Sequence, residues 1–181
     1  MVMKILALGD SLTEGYIDNN ATRFHPYTTT LATLLKMKVD NEGVSGERTA
    51  PMLYRLKQTK KKYTYAVILA GTNDLDTRTY ARTVVKNITK MHLYCLKHLG
   101  VQKSFCLSLP EVVLDSKKRF ERKRKSINAQ LRAFTKQRPD VVYVPFGEFA
   151  AKLTKTSFSG NGWHLSRTGY RKMGEFVAKH F

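Results

Sequence analysis

The stretch Tyr65-Ala66-Val67-Ile68-Leu69-Ala70 is nearly all apolar, without the alternation of a strand that has one wet face. A continuous run of this length reads as a strand buried on both sides, the place of a central strand in a parallel sheet. Four further short runs read as strands: residues 3–8, 39–44, 101–109 (ended by Pro110) and 141–144. Helical spacing lies between them. His25-Pro26 opens a helix through Lys38, with Tyr27, Leu31, Leu34 and Leu35 as its apolar positions. A second covers residues 51–58. A long third covers 79–99, with Ala81, Val84, Val85, Ile88, Met91, Leu93, Leu96 and Leu99 inward and Gly100 as its stop. Ser116 caps a fourth helix to residue 137, with Phe120, Ile127, Leu131 and Phe134 inward; a short helix covers 146–153, and Ser166 caps the last. Strand and helix thus alternate five times. That pattern predicts an α/β protein with a parallel sheet, helices on both faces and right-handed crossovers. The length, 181 residues, suits one domain over 1–181 with no internal repeat.

In such a sheet, ligands bind beyond the carboxyl ends of the strands. Four groups fall there: Ser11 after the first strand, Gly46 after the second, Asn73 after the third and His164 after the fifth. A serine hydroxyl attacks a carbonyl only when a neighbouring base takes its proton, and His164 is the base this chain offers. The N–H groups of Ser11 and Gly46 and the amide of Asn73 are of the kind that stabilises a developing oxyanion. Each group also has a plainer reading: a turn serine, a turn glycine, a capping asparagine, a helix-entry histidine. Asp10 supports the serine loop or stands near the substrate. Trp163 is a lid over the substrate or a surface anchor. His25, His92, His98 and His180 read as structural or solvated.

The blocks Gly9-Asp10-Ser11-Leu12, Asn41-Glu42-Gly43-Val44-Ser45-Gly46, Gly71-Thr72-Asn73-Asp74 and Gly162-Trp163-His164-Leu165 occur in this order, spanning residues 9 to 165. In this the chain resembles the SGNH (GDSL-type) ester hydrolases. The resemblance implies a three-layer α/β/α sandwich, flavodoxin-like, with a five-stranded parallel sheet. It implies a serine hydrolase without metal or organic cofactor, cleaving a small or medium acyl ester or thioester. It departs at one position. Where the family has Asp three residues before the histidine, this chain has Asn161. An amide oxygen accepts a hydrogen bond from imidazole but supplies no charge. In a serine protease the equivalent change costs about four orders of magnitude in kcat. Two readings follow. Either a backbone carbonyl or another carboxylate orients His164 in a working dyad, or the scaffold is impaired and serves as a basic RNA- or polyanion-binding module.

Other folds of chemistry are excluded on motif. No Gly-x-Gly-x-x-Gly follows the first strand, there is no Walker-type Gly-Lys-Ser/Thr, and no Gly-x-Ser-x-Gly elbow. Thirty-two Lys and Arg against 14 Asp and Glu give a net charge of +18, which draws polyanions or is simply a solvated basic surface. The densest cluster lies in residues 117–125, at the start of a helix whose dipole disfavours cations, so an anionic contact there would be compensating. Cys95 and Cys106 fit neither a disulfide framework nor a metal pattern and read as buried small groups. With no membrane-length run and no signal peptide, the expected setting is intracellular, in the cytoplasm.

Overall fold

Five strands form one parallel sheet in the order β2-β1-β3-β4-β5: β1 (Lys4–Gly9), β2 (Lys38–Gly43), β3 (Tyr65–Leu69), β4 (Lys103–Leu107) and β5 (Val141–Val144). The computed structural model describes residues 3–17, 24–111, 118–160, 162 and 164–181. The helices are α1 (Ser11–Glu14), α2 (Tyr27–Leu35), α3 (Thr49–Gln58), α4 (Ala81–His98), α5 (Lys118–Lys136), α6 (Phe146–Ala150) and α7 (Arg167–Ala178).

The strand order dictates the layers. From β1 the chain steps one way to β2, and every later step goes the other way. Right-handed crossovers then put α2 on one face of the sheet and α3, α4 and α5 on the opposite face. The packing agrees: α3 lies against α4 and α4 against α5, while α2 lies against α7. This is the three-layer, flavodoxin-like sandwich. Its switch point, where crossovers leave in opposite directions, lies between β1 and β3.

The central strands are the apolar ones. In β1, Ile5 to Gly9 are buried, and in β3, Ala66 to Leu69 are buried. The edge strand β2 is charged instead. Its Asp40 holds Lys4 at 2.7 Å and accepts from the Tyr63 hydroxyl at 3.1 Å. A charged edge discourages pairing with another chain.

Two expected inward residues face out. Leu93 is 38% exposed, because α4 turns Met91, His92 and Cys95 toward the sheet and carries Leu93 past it. Leu34 is likewise exposed near the end of α2, which stops at Leu35 rather than residue 38. The turn after Ser11 is a helical turn, where a loop was expected. The expected cap at Ser116 lies outside the described residues. Both cysteines are free and buried, and burial pushes both thiols up to about 12.

His92 is fully buried, with Nδ1 2.7 Å from Ser104 Oγ and no partner at Nε2. Burial pushes its pKa down to about 3. Between about 6.5 and 3 only the unfolded chain takes up this proton, so the stability His92 confers is present above pH 6.5 and is lost as pH falls. At pH 5 the loss is about 2 kcal/mol. Urea midpoints of the wild type and His92→Gln at pH 7.5 and pH 5.0 test this. The wild type should lose about 2 kcal/mol more than the variant; an equal loss in both would refute the assignment.

Candidate active site

The site begins where β1 ends. Asp10 is extended, and its Oδ1 accepts the Leu12 N–H at 3.0 Å while its carbonyl accepts the Thr13 and Glu14 N–H groups, each at 2.9 Å. It therefore N-caps α1, and Ser11 is the first residue of that turn. Asp10 is 1% exposed. Its carboxylate is turned under the helical turn that it caps.

His164 arrives from the far end of the chain. Ser159 donates to the His164 carbonyl through its N–H at 2.8 Å and its hydroxyl at 3.1 Å. Phe158 and Leu165 form an antiparallel bridge, Leu165 is buried, and Ser166 caps α7. The imidazole Nε2 comes to 3.0 Å from Ser11 Oγ. The Tyr16 ring meets the imidazole at a centroid distance of 4.9 Å in an edge arrangement. Tyr170 of α7 donates to the Tyr16 carbonyl at 2.7 Å, which fixes that ring's backbone. This spacing is within reach for proton transfer between hydroxyl and imidazole.

The donor groups surround the same point. In the register of the sheet, Gly9 of β1 stands opposite Gly43 of β2 and Leu69 of β3. The segments carrying Ser11, Gly46 and Asn73 thus leave the sheet at one level. Gly43 has to be glycine, since a Cβ there would run into the backbone of Glu14. Gly46 has φ +75, the left-handed region that glycine enters without strain. Among the described residues, neither its N–H nor that of Ser11 donates to a protein acceptor. The Asn73 amide donates to the Glu47 carbonyl at 3.1 Å, which fixes which end of the amide is nitrogen and leaves its second hydrogen for another acceptor.

Further polar side chains act as struts that hold these groups. Glu14 accepts both the N–H (3.0 Å) and the hydroxyl of Ser45, tying α1 to the turn that presents Gly46. Asn41 donates to the Thr13 carbonyl at 2.7 Å and accepts from the Gly43 N–H at 2.9 Å. Buried Asp74 accepts from Thr49 N–H at 2.9 Å and Thr49 Oγ1 at 3.0 Å, locking the Asn73 turn to the start of α3. Lys123 of α5 donates to the carbonyls of Asp74 and Thr77. Sequence patterning does not assign these contacts, because the partners of Glu14, Asn41, Asp74 and Lys123 are brought together only by folding.

A cavity of about 450 Å³ opens here, within the range of small-molecule sites. Ser11, Gly46, Asn73 and His164 all line it, with Arg48, Asp76, Pro110 and Glu111 beside them. Among the described residues no cluster of His, Cys, Asp and Glu could hold a metal ion. Asn161 and Trp163 lie outside the described residues, as does Lys117. The expected anion-seeking cluster at 117–125 is partly used within the protein. Arg124 and Lys125 pair with Glu121 at 2.8 and 3.2 Å, and Lys123 donates to carbonyls of the Asn73 turn; Glu121, in the first turn, offsets the unfavourable dipole.

Known proteins share this architecture. The model of the GDSL-like lipase/acylhydrolase family matches residues 7–172. No curated protein matches the chain. Similar solved structures include a member of the lipolytic protein G-D-S-L family from Veillonella parvula (TM-score 0.82, 19% identity, 99% of this chain and 98% of that one). A lipase/acylhydrolase from Enterococcus faecalis is also similar (0.78, 21%, 99% and 95%). So is a family 3 carbohydrate esterase from Clostridium thermocellum (0.72, 20%, 99% and 94%). At these identities the structures speak to the fold.

Burial raises the Asp10 pKa to about 6, against the lowering effect of the Leu12 N–H and the Thr72 hydroxyl; nearby Asp74 raises it further. The folded protein therefore holds a proton here that the unfolded chain has released. The associated stability is present below about pH 4 and is lost as pH rises through 6. Asn keeps the capping oxygen without the buried charge. Asp10→Asn should gain about 2–3 kcal/mol on the wild type between pH 4 and pH 8, read from denaturant midpoints. A pH-independent difference between the two would contradict a buried, reluctantly charged cap.

Proposed function

The chain belongs to the GDSL-like lipase/acylhydrolase family, and from that premise we propose that it is a serine ester hydrolase acting on small or medium acyl esters or thioesters. The observation that carries this reading is the 3.0 Å approach of His164 Nε2 to Ser11 Oγ inside a cavity that Gly46 and Asn73 also line. Ser11 Oγ attacks the acyl carbon as His164 takes its proton. The carbonyl oxygen becomes an oxyanion held by the N–H groups of Ser11 and Gly46 and by the Asn73 amide. When the tetrahedral centre collapses, His164 returns the proton to the departing alcohol or thiol, leaving an acyl group on Ser11. Water, deprotonated by His164, then releases the acid and restores the serine.

Preorganisation supports the reading as much as proximity does. The Ser11 N–H sits at the first position of a helical turn, where it is free of helix bonding and on the positive end of the peptide dipoles. Asn73 is oriented by Glu47 before any substrate arrives. The cavity size suits a compact acyl or alcohol group. The chain has Asn at position 161, so His164 works without a carboxylate from that position. The enzyme then turns over with reduced kcat.

Turnover of p-nitrophenyl acetate and butyrate tests the assignment. Ser11→Ala and His164→Ala should remove activity above background. Asn73→Ala should lower kcat about 100- to 1000-fold. Asn161→Asp should raise kcat, by up to about four orders of magnitude if the residue acts as in a serine protease. Turnover that survives Ser11→Ala would reject the nucleophile. Glu14→Gln offers a milder check on the Ser45 strut: a roughly tenfold lower kcat with KM unchanged, as expected for an oxyanion loop slightly out of place.

A further inference from the structure

The positive charge of this protein lies mostly on one layer. Helices α3 and α4 contain six Lys and Arg and no acidic residue, and α5 adds eight against Glu121 alone. These helices thus hold thirteen of the eighteen net charges. The opposite layer is different. Helix α2 has no charged residue, and α7 sets Arg167, Arg171 and Lys172 against Glu175.

On α4 the charge is also unspent. Arg82, Lys86, Lys90 and Lys97 recur at helical spacing, all exposed, and none has an ion pair among the described residues. The spacing places them along one outward stripe. Like charges so arranged repel, so this stripe does not serve the fold. Two aromatic rings stand out in the same layer. Tyr54 of α3 is 71% exposed, and Tyr80, which precedes α4, is 69% exposed with the Arg82 guanidinium 5.2 Å from its ring centre. Helices antiparallel to the strands begin at the carboxyl-end rim, so the stripe starts beside the cavity that Arg48 lines.

We propose that the outer surface of α3 and α4, flanked by α5, binds single-stranded nucleic acid. Three features select this partner. Regularly spaced cations without counter-charges match a chain of phosphates, whose binding releases condensed ions. Exposed tyrosines among the cations offer stacking platforms, which only unpaired bases can use. An anionic bilayer would instead call for apolar side chains to insert beside the cations. Among the described residues Leu93 is the one large aliphatic side chain exposed on these three helices. The surface is separate from the serine and the histidine, and this inference stands independently of ester hydrolysis.

The probe is a fluorescein-labelled 20-nucleotide single-stranded RNA, followed by fluorescence anisotropy from about 50 to 300 mM salt with the 181-residue chain. Binding should weaken steeply with salt, with a log–log slope near −3 if the four α4 cations each meet a phosphate. Lys86→Glu/Lys90→Glu/Lys97→Glu should lower affinity at least tenfold and flatten the slope by about two. Tyr54→Ser should lower it severalfold, whereas Arg171→Glu on the opposite layer should change little. All variants should keep the circular dichroism spectrum and the p-nitrophenyl acetate turnover of the wild type, which separates loss of the surface from loss of the fold or of the serine site. No binding at 50 mM salt would overturn the proposal. So would binding unaffected by the triple reversal, equal affinity for a duplex of the same length, or binding to phosphatidylserine vesicles but not to RNA.

Discussion

The level at which three parallel strands end governs everything at the rim that carries Ser11, Gly46 and Asn73. Gly9, Gly43 and Leu69 are opposite one another in the sheet, so the chain leaves β1, β2 and β3 side by side. Slip in this register would move one of these segments against the others by a residue's length, about 3.3 Å, which is more than a hydrogen bond tolerates. The register is secured by apolar burial on both faces of β1 and β3, where a shift would expose side chains that are now out of water. Precision at the site is therefore supplied by the core. The cost is borne locally: glycine at 43, left-handed backbone at 46, and a carboxylate buried at position 10.

The polar struts turn that alignment into a fixed arrangement. Glu14 joins the serine turn to the Gly46 turn, Glu47 joins the Gly46 turn to Asn73, and Asp74 joins Asn73 to α3. The three segments are thus linked by a continuous chain of hydrogen bonds, so a shift in one is passed to its neighbour. Donors fixed in advance need not reorganise as charge develops on a substrate, and this is the usual origin of their large effect. His164 is held by a different part of the molecule, through Ser159, the Leu165 anchor and the cap at Ser166. Its meeting with Ser11 thus depends on α7 docking against α2, which Tyr170 reinforces through the Tyr16 carbonyl.

Much of this was legible in the sequence because it depends on patterns that repeat along the chain. The doubly buried run at residues 65–70 announces a central parallel strand, and turn residues after each run place Ser11, Gly46, Asn73 and His164 on one rim. What the sequence conceals is set by contact across long separations. A one-turn helix at Ser11–Glu14 has no periodicity to detect, and Asp10 becomes its cap only because Leu12 folds back over it. Leu93 fits a helical stripe on paper, yet His92 takes the inward place, with Ser104 to receive its ring nitrogen. The charge cluster at 117–125 was read from composition alone. Glu121 lies within it, but the carbonyls of Asp74 and Thr77 that receive Lys123 are found only once α5 is placed.

The same layering explains how so basic a chain remains a compact fold. Mutual repulsion among cations is weakened where they project into water, because solvent and salt screen them. The α2–α7 side packs closely and is nearly neutral, so the core is closed there without electrostatic cost. On the α3–α5 side, the cations near structural carbonyls are absorbed: Lys123 at the Asn73 turn and Arg124 at Leu109 and Glu121. Those farther out on α4 have no such use in the fold. Selection for stability alone would favour an acid somewhere on that helix, since one glutamate four residues before a lysine would add support. Its eighteen residues contain none, and that absence calls for a cause outside the folded chain.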